Sequence, residues 1–251
     1  MDDNQVSRMA LWAAYARAYH AAHDTPKIFD DTLACHLITE EKRAYFEKMV
    51  EKTMTILKYV SSGGLKSFFI KLFFPKHLRD AIQSIAPKST ATFSDQSAAK
   101  AWVMQFWVGT SLILSRARYT EDSLEEAVRQ GVKQYVILGA GMDTFAFRRK
   151  ELLAQLQVFE IDHPATQAFK ISRLAELGWE PPAQLHFIST DFTQESLSEV
   201  LKRSSYDPQV PTFFNWLGVT YYLPRDVVFA TFRTIADIAG KGSKVICIYT
   251  R

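Results

Sequence analysis

The chain has 251 residues, 47% of them apolar and 23% charged, which is material for a large α/β core and excludes a disordered or fibrous polymer. A net charge of +3, carried by scattered basic residues, argues against a nucleic-acid partner. Two distant cysteines (Cys35 and Cys247), an acidic start and no apolar run of bilayer length predict a cytoplasmic protein without disulfides, bound metal or stable membrane association.

The first half reads helical. Val6, Met9, Ala10, Ala13, Ala14 and Ala18 recur at helical spacing over residues 5–22. A second helix opens at Thr39-Glu40-Glu41-Lys42 and runs to about Ser62, where Gly63-Gly64 stop it. Leu65 to Ile85 is basic and rich in Phe, interrupted by Pro75; Phe68–Phe74 reads as a lid helix, with contact to a membrane surface as the alternative. Ser94 is positioned to cap a long helix through Trp102 and Trp107, and a further helix from about Asp122 to Arg129 ends at Gly131.

From Lys133 the rhythm alternates. Strands are expected at Gln134–Leu138, Gln157–Ile161, Leu185–Ser189, Thr212–Leu217 and Lys244–Tyr249. Helices are expected between them at Phe145–Gln155, Pro164–Leu177, Gln194–Lys202 and Pro224–Ala239. Strands alternating with helices pair in parallel through right-handed crossovers. The expected fold is therefore a doubly wound, mostly parallel α/β sheet over residues 132–251, preceded by a helical cap or lid region over 1–131.

Chemistry concentrates at the first strand. The run Tyr135-Val-Ile-Leu-Gly-Ala-Gly-Met-Asp-Thr-Phe145 ends a strand in Gly139-Ala140-Gly141, and Val158-Phe-Glu-Ile-Asp162 ends the next in an acid 23 residues after Gly139. Glycines there let the backbone turn tightly and approach a ligand, and an acid at the second strand's end can accept from ribose hydroxyls. The third glycine of the dinucleotide fingerprint is replaced by Thr144. A glycine turn with no ligand is the plain alternative.

These stretches, with Ser115-Arg-Ala-Arg118, Phe159-Glu-Ile-Asp-His-Pro164, Thr190-Asp-Phe192 and Trp216-Leu-Gly-Val-Thr-Tyr-Tyr-Leu-Pro224, resemble the leucine carboxyl methyltransferase-like family of class I S-adenosylmethionine-dependent methyltransferases, in its bacterial branch. The resemblance covers the chain from about residue 7 to its end. It implies a Rossmann-like fold and S-adenosylmethionine as cofactor. Gly139, Ala140 and Gly141 would lie under the cofactor's methionine part, and Asp162 would hold both ribose hydroxyls. Asp191 and Phe192 would flank adenine. Arg116 would pair with the cofactor carboxylate, with Arg118 as the alternative and Lys27 as a looser match. Asp162 and Asp191 could each instead cap the helix that follows it.

The resemblance also implies methyl transfer to a small-molecule carboxyl or hydroxyl, such as a polyketide-like metabolite. A carboxylate acceptor needs no general base; for a hydroxyl, Tyr221, Tyr222 and His163 are the candidates. Where family members that methylate a C-terminal leucine carry a glutamate, this chain has Leu217, which puts protein-carboxyl methylation in doubt. Class I enzymes also continue past the fifth strand into a hairpin, so an exposed edge is expected here. A nicotinamide-dependent oxidoreductase and a non-catalytic cofactor-binding protein are the competing classes, and a homo-oligomer remains open.

Overall fold

A computed structural model describes residues 5–61, 95–104 and 109–248. The Phe-rich lid expected at 68–74, the cap expected at Ser94 and the helix end at Trp107 lie outside them. Five strands, β1 (Gln134–Leu138), β2 (Gln157–Asp162), β3 (Leu185–Ser189), β4 (Thr212–Trp216) and β5 (Lys244–Cys247), form one parallel sheet in the order β3-β2-β1-β4-β5. The central strands β1 and β4 are buried at every position. That double burial is why they read as nearly continuous apolar runs rather than as alternations.

Alternate side chains serve opposite faces. Tyr135, Ile137, Val158, Leu185 and Phe213 pack with α4 (Thr110–Arg129), α5 (Phe145–Arg148) and α6 (Lys150–Leu153). Val136, Leu138, Phe159, Ile161, Phe214 and Trp216 pack with α8 (Leu197–Lys202) and α9 (Arg225–Ile238). The sheet is thus doubly wound as expected, with α7 (Pro164–Glu176) connecting β2 to β3. Strand order reverses between β1 and β4, and ligands of open parallel sheets bind outside the carboxyl ends at such a point. Lys244 and Val245 of β5 are exposed.

Several expected boundaries move, each for a local reason. The helix placed at 122–129 begins at Thr110. Leu114, Glu121, Leu124 and Val128 share one buried stripe, and Glu121, one residue before the expected start, faces inward onto Arg148 and Arg149. The helix expected over 145–155 is two short ones, broken at Arg149 (φ −108°, ψ 58°), whose guanidinium reaches Glu121, Glu125 and Glu151. The helix expected from Gln194 begins at Leu197, set by a capping box between Ser196 and Glu199.

Ahead of the sheet lie α1 (Arg8–His23), a 3-10 turn at Ala34–Leu37, α2 (Glu40–Ser61) and α3 (Gln96–Trp102), the last capped by Asp95. The chain forms two compact units, 1–38 with 114–251, and 39–113. This division differs from a cut at 131. Side chains of α1 and α4 bond directly to the segment after β1, which joins both helices to the sheet.

Candidate cofactor site

The glycine turn after β1 is built from main-chain strain and inward-facing donors. Gly139 (φ +75°) and Gly141 (φ +54°) adopt the left-handed region that side chains disfavour. Gly139 N–H and Ala140 N–H both donate to the Ile161 carbonyl, at 2.8 and 3.3 Å, and Asp143 N–H closes the turn on the Ala140 carbonyl. The glycines also admit protein neighbours: Val219 packs where a Cβ on Gly139 would stand, and a Cβ on Gly141 would come 2.9 Å from Ala10 Cβ. Close packing by Val219 and Ala10 is thus a further use of these glycines, beside the tight turn. Ala140 itself is buried in the core on the α4 face.

Asp162 ends β2 beside that turn. Its Oδ2 accepts from Gly141 N–H at 2.5 Å and its Oδ1 from His163 N–H at 2.6 Å. Burial pushes its carboxyl upward, while those two N–H groups and the charge on Lys170 oppose the shift. It does not cap α7. That cap is His163, whose Nδ1 accepts from Ala165 N–H, and Pro164 fills the first helical turn.

Asp191 follows β3, and Thr190 N–H donates to the Asp162 carbonyl, which sets the two acids on adjacent strand ends. Asp191 Oδ1 accepts from the N–H and hydroxyl of Thr193, and the first of these bonds does most to hold its carboxyl low. The cap of α8 is Ser196, so neither aspartate serves as the helix cap that sequence allows. Phe192 packs partly buried against the α8/α9 core.

On the other side of the glycine turn, β4 leads into Gly218 (φ +76°) and the 3-10 turn Thr220–Tyr222. A Cβ on Gly218 would stand 3.0 Å from an Arg116 guanidinium nitrogen, so Arg116 lies directly against this loop. Its charge also reaches Tyr222. Arg118 points elsewhere, forming an exposed two-bond pair with Asp122 on α4 itself. Lys27 pairs with Asp30 in an exposed contact. Tyr221 and Tyr222 are exposed, their rings 4.5 Å apart.

Along the strand ends β3-β2-β1-β4 the order is thus an acid, a second acid, a glycine turn and a guanidinium. Three strand spacings of about 4.8 Å separate the ends of this row. Sequence reasoning missed the polar groups beneath the turn. Arg17, Asp31, Glu160 and Lys170 are all buried or nearly so and bonded there. Their signal was weak: Lys170 lies at helical spacing from the inward-facing Thr166 and Gln167, yet a lysine in a helix usually faces water.

The Leucine carboxyl methyltransferase family matches the chain over residues 61–236. A protein of Bacillus subtilis (strain 168), provisionally named the S-adenosyl-L-methionine-dependent methyltransferase YktD, is 35% identical over 256 residues, covering 99% of this chain and 72% of that protein. A Mycobacteroides abscessus protein named likewise is 34% identical over 133 residues, covering 53% of this chain and 43% of its own length. Among solved structures, the glycopeptide N-methyltransferase MtfA complexed with S-adenosyl-L-methionine aligns at 18% identity and a TM-score of 0.35, covering 51% of this chain and 53% of that one. That likeness is too low for residue-level comparison. The extent of the family match and of the Bacillus relative decides the assignment: the chain belongs to the leucine carboxyl methyltransferase family.

Proposed function

We propose that this protein, an S-adenosylmethionine-dependent methyltransferase, transfers the methyl group to a carboxyl or hydroxyl oxygen of a small molecule. The observation that carries the reading is the ordered row of Asp191, Asp162, the 139–141 turn and Arg116 along neighbouring strand ends. Asp162 would hold the ribose hydroxyls: a carboxylate accepting one N–H on each oxygen retains lone pairs for two more donors. Asp191 keeps Oδ2 for the adenine amino group, since both of its bonds to Thr193 use Oδ1. Phe192 would pack on the ring, and Arg116 would pair with the amino-acid carboxylate.

The bound cofactor supplies a methyl already activated on a positively charged sulfur. The protein's task is then to align an acceptor oxygen in line with it and to exclude water. The acceptor would meet the Leu217–Tyr222 loop, where Leu217 offers no charge and Tyr221 and Tyr222 offer ring faces and hydroxyls. A carboxylate acceptor would need no proton removed. For a hydroxyl acceptor, Tyr222 is disfavoured as a base because partial desolvation of its hydroxyl end, on an otherwise exposed ring, and neighbouring Tyr221 raise its phenol. His163 Nδ1 is occupied in capping α7. This favours an acceptor that is ionised before it binds.

Membership of the family displaces the oxidoreductase reading, and Thr144, which stands at the third glycine's position, is buried at the start of α5. Calorimetric titration with S-adenosylmethionine and S-adenosylhomocysteine, followed by methyl transfer to a panel of small carboxylic acids and phenols, tests the proposal. Heat with both ligands and label in an ester or ether product are expected. A folded sample giving no heat would end it, and turnover only on amines or thiols would overturn the choice of oxygen. Binding without transfer to any acceptor would favour the non-catalytic alternative.

A further inference from the structure

Two cations on two different helices, Lys170 buried and Arg17 partly so, donate to consecutive carbonyls of the glycine turn. Arg17 of α1 reaches the Met142 carbonyl at 2.6 Å, and Lys170 of α7 reaches the Asp143 carbonyl at 2.7 Å. Each cation is balanced by a carboxylate behind it: Asp31 at 2.8 Å from Arg17 and Glu160 at 2.5 Å from Lys170. The Lys170 and Glu160 side chains are only 1% and 2% exposed. Burying such a pair costs more solvation than its attraction returns unless further bonds are made. Here the further bond goes to the turn, whereas Glu160 Oε1 has no partner among the described residues.

Resting on the cofactor reading above, we propose that Lys170 and Arg17 are positioning residues that fix the glycine turn for cofactor binding. Met142 and Asp143 lie between β1 and α5, where a carbonyl has neither a strand nor a helix partner. Charge-assisted donors on both fix the two peptide planes from beneath. With those planes fixed, Gly141 N–H is held against Asp162 Oδ2 at 2.5 Å, which orients the carboxylate assigned to the ribose. The chain of contact runs from Lys170 to the Asp143 carbonyl, from Asp143 N–H to the Ala140 carbonyl, and through the Ala140–Gly141 peptide, whose N–H donates to Asp162.

Three variants separate positioning from mere support of the fold: Glu160→Gln, Lys170→Met, and both together. The first keeps the Lys170 donor; the double variant removes both charges and so leaves no buried charge unpaired. Positioning predicts that the double variant regains a melting temperature near the wild type yet binds S-adenosylhomocysteine about tenfold or more weakly, by calorimetry, while Glu160→Gln stays within about threefold. A simple structural role would move affinity and melting temperature together. A double variant that melts normally and binds like the wild type overturns the inference. If it does not fold, Arg17→Lys takes its place, retaining charge toward Asp31 with a shorter reach to the Met142 carbonyl, under the same criterion. Failure of the wild type itself to bind S-adenosylhomocysteine would overturn the cofactor reading, a separate and earlier result.

Discussion

Val219 packs directly on the Cα of Gly139, filling the volume that any side chain at position 139 would need. The contact joins the loop after β4 to the turn after β1 across the point where strand order reverses. Gly139→Ala must therefore displace Val219 and also hold an L-residue at φ +75°. A loss of at least ~2 kcal/mol in denaturant unfolding is expected. Gly178→Ala is the control, since φ is +66° there with nothing within 4 Å of the added methyl. It should cost about 1 kcal/mol, from backbone strain alone. Adding Val219→Ala to Gly139→Ala should recover the steric part of the loss.

Arg116 and Arg118 are two residues apart on one helix and differ in what they face. Arg116→Ala should weaken S-adenosylhomocysteine binding by about 10- to 100-fold, the loss of a charge-assisted bond. Arg118→Ala removes an exposed helix pair with Asp122, worth about 0.3–0.5 kcal/mol of stability, and should leave affinity unchanged. Calorimetry on both variants checks the assignment; the reverse ranking would move the carboxylate site to Arg118.

Asp162→Asn keeps an acceptor for Gly141 N–H but removes the charge. Binding of S-adenosylhomocysteine should fall by about 10- to 100-fold, and stability by about 1–3 kcal/mol, because the amide nitrogen then faces the His163 N–H that Oδ1 accepted. Equal affinity for the variant and the wild type would remove Asp162 from the site.

Glu160 gives stability a measurable pH dependence. Burial pushes its carboxyl up to about 7, against the opposing charge of Lys170, from 4.5 in the unfolded chain. Asp143 and Asp162 add to the upward push, and Tyr135 on β1 feels the same cluster. Between those two values the native state holds a proton that the unfolded state has lost. The contribution is therefore complete below pH 4.5 and is lost as pH rises through about 7. Urea unfolding from pH ~5 to ~8 should show this decline in the wild type and a flatter curve in Glu160→Gln.

Much of the sheet was legible because parallel strands buried on both faces leave short apolar runs between turn residues. The five strands fall within two residues of their expected bounds over the described positions. Helix limits were less legible where a charged residue faced inward. The helix expected from Asp122 begins twelve residues earlier, and Glu121, just ahead of that expected start, lies mid-helix in α4 and pairs with Arg148 and Arg149. Arg149 reads as an ordinary helical residue, but it leaves helical geometry between α5 and α6, where its guanidinium pairs with Glu125 and Glu151.

Local sequence determined the parts of this protein whose cause is local: the positive-φ turn at 139–141, the acids ending β2 and β3, and the strand–helix alternation that dictates parallel pairing. Tertiary structure alone decided which arginine turns toward the turn loops, that Val219 and Ala10 fill the space above the glycines, and that Lys170 and Arg17 hold the turn from below. The physical reason is distance along the chain. Lys170 and Arg17 lie 27 and 125 residues from the carbonyls they hold. Whether a cation is buried or solvated depends on the partner that folding brings to it, which no window of neighbouring residues contains.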